Sequence, residues 1–420
     1  MNSKEIYVSI ELGKKTIPVG ILWGHYRNGR ESASFEYDRQ WLNNPACFAI
    51  DPSLPLARGT FHTSNKQKLF GAIGDSAPDR WGRILMRRAL AKHAKNDGVM
   101  PHTLMETDYL LGVCDEARQG ALRFCERPGG QFSAIGDKIP PIINLPKLLS
   151  AANNFIENNE SAEELKLLLF PGSSLGGARP KASIRDRDGS LAIAKFPKRD
   201  DDINVVKWEA VALTLAHNAG ITVPIHRLEM IAEKPVLIIK RFDRHENERI
   251  PFMSAMSMLS AADNEQHSYL EIAYALSQIG AYPAKDMEEL WRRIVFTILV
   301  SNTDDHLRNH GFLYEPFKGW TISPAYDINP TPIEIAPRIL NTSIDYSNNQ
   351  ASLEIAISVI PEFQITKDKA MLIVGQVHAA VSKWNVVAKS IGISNKEIDL
   401  MASAFEHDDM KQAGKIYSGA

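Results

Sequence analysis

The stretch Ser301-Asn302-Thr303-Asp304-Asp305-His306-Leu307-Arg308-Asn309-His310-Gly311-Phe312 sets two carboxylates, an imidazole and an amide directly behind an apolar segment. In that segment, Leu290, Trp291, Ile294 and Ile298 recur at helical spacing, the stripe of a helix packed on a core. Downstream, the run Gly311 to Tyr314, a turn at Pro316-Phe317-Lys318-Gly319 and the run Trp320-Thr321-Ile322 read as a hairpin. Its return strand delivers Ser323-Pro324-Ala325-Tyr326-Asp327. Asp304, Asn309 and Asp327 can therefore converge on one pocket. Phosphoryl transfer asks for these groups: one carboxylate to take a hydroxyl proton, and an amide and a second carboxylate to hold a divalent metal against phosphates.

The interval of five from Asp304 to Asn309 is that of a protein-kinase catalytic loop, and a later Asp on a hairpin completes the comparison. Asp305, four residues before Asn309, breaks the interval, so Asp304 takes the role of base while Asp305 and His306 support the loop. Asp and Asn also stand at helix ends and turns simply to bond the backbone. A rival chemistry makes Asp304, Asp305 and His306 ligands of a hydrolytic metal, but it lacks a second His/Asp cluster.

The elements that would position such a centre lie upstream. Short alternating runs (Tyr7 to Ile10, Thr16 to Leu22, Ala33 to Tyr37) predict a β-rich unit over about residues 6–64. A helix follows Ser76, with Pro78 in its first turn, Trp81, Ile84, Leu85 and Ala89 inward, and Arg80, Arg83, Arg87 and Arg88 as a basic flank that reads as a solvated face, with an anion or partner contact as the alternative. Residues 128–146 are turn-rich and read as a linker, and a helix spans about 145–158. Glu157, Glu160, Glu163 and Glu164 then read as a segment facing water.

The glycine-rich run from Pro171 to Lys181 could crowd backbone N–H groups around an anion, although it matches neither GxGxxG nor a Walker A sequence. Lys195 interrupts the apolar strand Leu191 to Phe196 and would be costly to bury without an anion, for which Glu209 on the helix over 205–218 is the candidate. The plain alternative is an edge-strand lysine in solvent. Lys240, Arg241 and Phe242, ending the strand from Val236, fall where a kinase hinge would present its backbone to adenine. Beyond them the pattern is helical, with Ile373, Val377, Val381 and Trp384 marking a further core helix.

Composition sets the limits. A chain of 420 residues, 44% hydrophobic and 23% charged, is ordinary globular material for two or three domains. A net charge of -2 and a pI near 6.6 call for neither nucleic acid nor a membrane surface as the main partner. Cys47, Cys114 and Cys125 have neither disulfide-framework number nor zinc spacing, which suits a reducing cytoplasm. No apolar run has membrane-spanning length and the N-terminus does not read as a signal peptide, so a cytoplasmic protein without a membrane partner is expected.

Six stretches occurring in order resemble one family, the HipA toxins. They are Phe70 to Gly82, Gln119 to Phe124, Ser174 to Lys181, Arg241 to Arg244, Asn302 to Asn309 and Tyr326-Asp327. The resemblance implies a serine/threonine protein kinase of a type II toxin–antitoxin system, using ATP and Mg²⁺, with an α+β, two-lobed, protein-kinase-like fold. The expected layout is an N-terminal β-rich subdomain (1–127), the linker (128–146), a small lobe with the glycine-rich loop (147–250) and a helical large lobe (251–420). By the same resemblance Asp304 is the catalytic Asp, and Asn309 and Asp327 are metal holders. Lys195 is the phosphate lysine beside Glu209, and Gly176, Gly177, Ala178, Arg179, Pro180 and Lys181 form the phosphate loop. Lys240 to Phe242 form the hinge, and His306, Leu307, Arg308 and Tyr326 line the nucleotide side.

Ser174, or Ser173 beside it, falls where family members autophosphorylate and so silence themselves. A dianion next to a phosphate cradle competes with ATP by like charge. The family phosphorylates an aminoacyl-tRNA synthetase and is neutralised by HipB, a helix-turn-helix antitoxin through which it reaches operator DNA. Phe252 to Met258 replace an acidic, glutamine-containing segment of the family and Lys240 replaces a glutamate, departures that bear on the protein substrate rather than on ATP chemistry. Two other functions use the same residues: an ATP-binding co-repressor subunit with little turnover, and a small-molecule kinase.

Overall fold

The computed structural model describes residues 2–132, 139–172, 177–198, 201–246 and 248–419. The chain divides into two compact units: Met1–Asp200 with Glu229–Met253 and Ser260–Ala262, and Asp201–Leu228 with Ser254–Leu259 and Asp263–Ala420.

In the first unit, strands β1 (Asn2–Leu12), β2 (Lys15–Arg27), β3 (Arg30–Tyr37), β4 (Thr60–His62) and β5 (Leu122–Cys125) form an antiparallel sheet ordered β4-β3-β2-β1-β5. The first three run well beyond the short strands the alternation predicts, because their outer halves carry polar residues that hydrophobic patterning does not register. Ile6, Val8 and Ile10 alternate into the core as period two requires. The β2–β3 turn, Asn28-Gly29, has positive φ at both residues, 52° and 76°, the backbone twist that a two-residue hairpin needs.

Helices α1 (Arg80–Asn96), α2 (Leu145–Ile156) and α3 (Ala162–Gly172) pack through Trp81, Leu85, Leu148 and Leu168 onto Ala182, Ile184, Ala194 and Val236 of a second sheet. Its strands β6 (Lys181–Arg185), β7 (Leu191–Lys195), β8 (His226–Ile231) and β9 (Lys234–Lys240) are ordered β6-β7-β9-β8. Pro78 is not in the first turn of α1: the helix begins at Arg80, capped by the Asp79 side chain. Helix α3, unforeseen in the sequence, takes in Pro171 and Gly172 of the glycine-rich run, and a Cβ on Gly172 would meet Leu85 at 2.7 Å.

Two surface readings are corrected by pairing. The Glu160 side chain is only 6% exposed and binds Arg88 at 3.2 Å and Lys92 at 3.7 Å, while Arg83 binds Glu106 at 2.6 Å and Arg88 lies over the Phe155 ring. A long cation on an amphipathic helix packs its stem and leaves its head for a partner that only the fold supplies.

Two of the sequence motifs meet in a buried ion network. The Asp243 carboxylate, 1% exposed, accepts from Arg241 at 2.6 Å, from Arg244 at 2.8 Å and from the Gly120 N–H at 2.8 Å. Arg241 also donates to the Ala117 carbonyl, and Arg244 to that of Arg118. Gly120 has φ +73°, and a Cβ there would meet the Phe252 nitrogen at 3.2 Å, so both the turn and the close approach require glycine. Burial alone would raise the Asp243 carboxyl; the two guanidiniums hold it well below the usual carboxylate range.

In the second unit, α5 (Tyr269–Ile279) and α6 (Pro283–Leu299) pack on the hairpin of β10 (Gly311–Glu315) and β11 (Gly319–Ile322), while α7 (Lys367–Val381) packs on α6 and on α4 (Val205–Asn218). Ile373, Val377 and Val381 are fully buried on α7, but Trp384 opens a separate helix, α8 (Trp384–Ser390), and stacks on Phe405 with centroids 4.7 Å apart. Among the described residues no helix is long and apolar enough to cross a membrane.

The Asp243 network yields a stability test. Asp243→Asn leaves two buried guanidiniums facing a neutral amide, and unfolding in denaturant should show a loss of about 3–5 kcal/mol. A loss below about 1 kcal/mol, the size of an ordinary surface change, would mean that the network does not hold this unit.

Candidate active site

Helix α6 ends because Ser301 adopts φ +51°, a left-handed turn at a fully buried position. The Ser301 hydroxyl donates to the Ala404 carbonyl at 2.8 Å and receives Arg338 Nε at 3.0 Å. Arg338 also caps the helix by donating to the Ile298 carbonyl at 2.9 Å, and pairs with Asp409 at 2.6 Å. At the other end of α6, Asp286 accepts from the Thr321 hydroxyl at 2.9 Å and the Ile322 N–H at 3.3 Å, which ties the helix to the returning strand. Helix, loop and hairpin thus form one frame, with Ser323 N–H closing on the Gly311 carbonyl at 2.8 Å at the hairpin's base.

Asp304, Asn309 and Asp327 are brought together within this frame. Asn309 Nδ2 donates to the Asp304 carbonyl at 2.8 Å, which leaves Oδ1 of that amide as the atom to offer a metal. Asp327 sits at φ +55° in the turn after the hairpin, and the next link, Asn329 N–H to Asn302 Oδ1 at 3.1 Å, sews that turn to the end of α6. Burial raises the Asp304 carboxyl, His306 opposes the rise and the charge of Asp327 adds to it. The two carboxylates therefore feel each other across the site. Tyr326 donates its hydroxyl to the Arg308 carbonyl at 2.8 Å, bridging hairpin and loop. Arg308 points its guanidinium at Asp263 on the surface, at 2.5 Å, and Leu307 is buried.

Beneath the loop, Asp305 is 1% exposed. Its Oδ2 accepts from the Tyr269 hydroxyl at 2.6 Å, and its Oδ1 from the N–H groups of Asn341 at 2.8 Å and Thr342 at 3.3 Å. Burial pushes its carboxyl up to about 7 in spite of these donors. His310, buried beside it and bonded to its carbonyl at 3.2 Å, is pushed down to about 4, by burial first and by Arg293 next. The sequence reading of Asp305 as a support agrees with this burial. A cavity of about 30 Å³ lies behind the loop among Asn302, Asp305, Asn309, His310 and Tyr326, room for a water or two and not for a nucleotide.

The donor atoms fit a hard cation. Among the described residues no three His, Cys, Asp or Glu side chains cluster as a metal cage. Two carboxylates and an amide oxygen are instead the sparse oxygen set that suits Mg²⁺, which keeps waters and takes phosphate oxygens. Asn329 Oδ1 and His306 Nδ1, both flanking the site, are buried without a hydrogen-bond partner among the described residues.

The remaining predicted residues belong mainly to the first unit. Lys195 ends β7 and is only 9% exposed, so it is not the solvated edge lysine of the plain reading, and Lys181, which begins β6, is 4% exposed. Glu209 is buried on α4 in the second unit. Lys240 pairs at the surface with Asp188 at 3.2 Å. The Arg241 side chain is committed to Asp243 and its N–H to the Leu191 carbonyl, while Phe242 rests against Phe252. Of the glycine-rich run, Ser173, Ser174 and Gly176 lie outside the described residues. Gly177 has φ +83°; its N–H donates to Asp79 and its carbonyl accepts from the Trp81 N–H at 3.2 Å. Ala178 is exposed, Arg179 half-buried, and the buried Pro180 accepts the Phe196 N–H at 3.0 Å.

Sequence reasoning missed Asp79 as the anchor of that loop, and Asn302, Asn329 and Asn341 as the ties around the centre. The Pro-Asp pair before α1 signals a helix cap but not its second bond, and nothing marks Asn341 out in the sequence.

A loop and hairpin that gather two aspartates and an asparagine on an α+β scaffold are the equipment of a kinase-like phosphotransferase. Residues 173–384 match the HipA-like C-terminal domain and residues 14–124 the HipA N-terminal domain. The chain belongs to the HipA family. It is 24% identical over 341 residues, 74% of this chain and 76% of the relative, to a Sinorhizobium fredii protein named "Putative kinase Y4mE". A Haemophilus influenzae protein named "Putative kinase" is 25% identical over 197 residues, 41% of this chain and 56% of that one. In fold, the chain is similar to HipA of Shewanella oneidensis MR-1, solved with HipB and operator DNA, with a TM-score of 0.70 at 15% identity over 98% of this chain and 97% of that one. The fold is thus the two-lobed, kinase-like α+β fold, and the protein is a HipA-like kinase at the level of its family.

The buried carboxyl of Asp305 makes stability depend on pH. Its folded value of about 7 lies above that of an unfolded aspartate, so between about pH 4 and 7 the native state holds a proton that the unfolded chain has lost. Stability contributed here falls as pH rises, by up to about 1.4 kcal/mol per pH unit, and levels off above the window. Asp305→Asn should remove that slope. Denaturant titrations of both proteins at several pH values should show their stability difference changing across the window; a constant difference would contradict it.

Proposed function

We propose that this protein is a Mg²⁺-ATP-dependent serine/threonine protein kinase, the reading supported best by the gathering of Asp304, Asn309 and Asp327 on one loop and hairpin. Asp304 accepts the proton of the acceptor hydroxyl as that oxygen bonds to the γ-phosphorus and the bond to ADP breaks. A base lifted by burial and by a neighbouring charge is better matched to that task than a free aspartate. Asn309 Oδ1 and Asp327 would hold Mg²⁺, which supplies charge neutralisation on the phosphates. Lys195 and the loop from Gly176 to Lys181 fix the phosphates; Lys240 to Phe242 take the adenine side.

Family membership and likeness to a HipA solved with HipB and operator DNA support a helix-turn-helix antitoxin as partner, with operator DNA reached through it. The finer reading, carried only by the resemblance of the six sequence stretches to the HipA toxins, is an aminoacyl-tRNA synthetase as protein substrate and Ser174 as the site of self-inactivation.

With radiolabelled ATP, Asp304→Asn should lower phosphate transfer by at least about 10²-fold, the usual share of a general base, with nucleotide binding retained. Asp327→Ala should lose the Mg²⁺-dependent part of nucleotide binding. Transfer at the wild-type rate in either variant overturns the assignment, and mass spectrometry of the purified wild type should find phosphate on Ser174.

A further inference from the structure

Outside the groups already given roles, one side chain among the described residues donates a hydrogen bond to the Asp304 carboxylate, that of Asn341. Asn341 lies in the irregular segment between the hairpin and α7, and is exposed between neighbours that are fixed. Its own N–H is bound to Asp305 Oδ1 at 2.8 Å, and Thr342 adds a second N–H to that oxygen and a hydroxyl bond to the Asp305 carbonyl at 2.6 Å. Ser343 is tied on both sides, its carbonyl accepting the Tyr269 N–H at 2.9 Å and its N–H donating to the His267 carbonyl at 2.9 Å. Arg338 anchors the segment's start to Ser301, Ile298 and Asp409. With the backbone held so, the Asn341 amide nitrogen spans the Thr303 carbonyl at 3.0 Å and Asp304 Oδ1 at 3.3 Å.

We propose that Asn341 is a positioning residue for phosphoryl transfer: its amide holds one oxygen of the Asp304 carboxylate and so directs the other toward the acceptor hydroxyl. The inference rests on Asp304 being the base. Two properties of the arrangement make it more than a surface contact. The amide donates two hydrogens, one to the backbone just before Asp304 and one to the carboxylate, so the carboxylate is fixed relative to its own main chain. The donor also comes from a segment bolted to Asp305 rather than from a free loop, so it is in place before substrate arrives, which is the condition for orientation to accelerate a reaction.

A residue that merely fills space and one that donates to the base respond differently to substitution. Asn341→Asp keeps the shape and removes the donor, placing a carboxylate against Asp304 Oδ1 and the Thr303 carbonyl. Asn341→Ala removes both shape and donor. Asn341→Gln keeps a donor on a longer arm. All three retain the backbone N–H on Asp305, and melting temperatures verify that the fold persists. Phosphate transfer from radiolabelled Mg²⁺-ATP by the full chain, onto itself and onto a soluble protein extract, gives kcat and the KM for ATP. The expected order of kcat is Asn above Gln, with Ala and Asp lowest, down by about 10- to 100-fold at an unchanged KM for ATP. In an Asp304→Asn background, Asn341→Ala should lower the residual rate no further.

An Asp variant as active as wild type, or an Ala variant that changes KM and not kcat, overturns the inference while leaving Asp304 as the base. Wild-type activity in Asp304→Asn, or none in the wild type, overturns the underlying assignment and this inference with it.

Discussion

A carboxyl group buried under its own loop organises the second unit. Asp305 has almost no exposure, and nearly every element around the centre reaches it: Tyr269 from α5, Asn341 and Thr342 from the irregular segment, and His310 through its carbonyl. A buried polar network is costly where a member lacks a partner and rigidifying where all are met, so this one fixes the loop's backbone as well as its side chains. Asp304, its neighbour, inherits a fixed position without carrying the burden of the fold. The two adjacent aspartates are thus divided, Asp305 bonded inward and Asp304 left exposed above it.

The same division appears in the charges. Asp304 and Asp327 repel each other, and the repulsion is tolerated because the ties that fix their backbones are made elsewhere, by Asn302 to Asn329 and by the left-handed turns at Ser301 and Asp327. Positive φ in a non-glycine residue is strain that surrounding structure must over-determine, and such strain gathers where function requires an arrangement the chain would not choose.

In the first unit, motifs that read as chemistry are in large part structural. Arg241 and Arg244 spend their guanidiniums on Asp243 and on carbonyls at 117 and 118, so the run from Arg241 to Arg244 locks β9 to the segment preceding β5. Asp79 and Trp81 have the complementary task. The former caps α1 and also takes the Gly177 N–H, and the latter binds Gly177 and, through its indole, the Lys181 carbonyl at 2.9 Å. The described end of the glycine-rich run is therefore held by the N-terminal part of the chain, a physical reason for the two family domains to occur in one polypeptide.

The sequence by itself determined what depends on near neighbours. Alternation located the strands, the helical stripe through Leu290 and Ile298 located α6, and the turn residues from Pro316 to Gly319 placed the hairpin that returns Asp327 to Asp304. The spacing from Asp304 to Asn309 is local as well, and the bond between the Asn309 amide and the Asp304 carbonyl follows from it. Tertiary structure decided whatever joins residues far apart in the chain: that Glu160 meets Arg88, that Arg241 belongs to Asp243 and Ala117, and that Asn341 reaches Asp304. Polar residues carry no periodic signal of their partners, because a hydrogen bond or ion pair is set by direction and distance in space, whereas hydrophobic burial is set by a repeat that the chain itself displays.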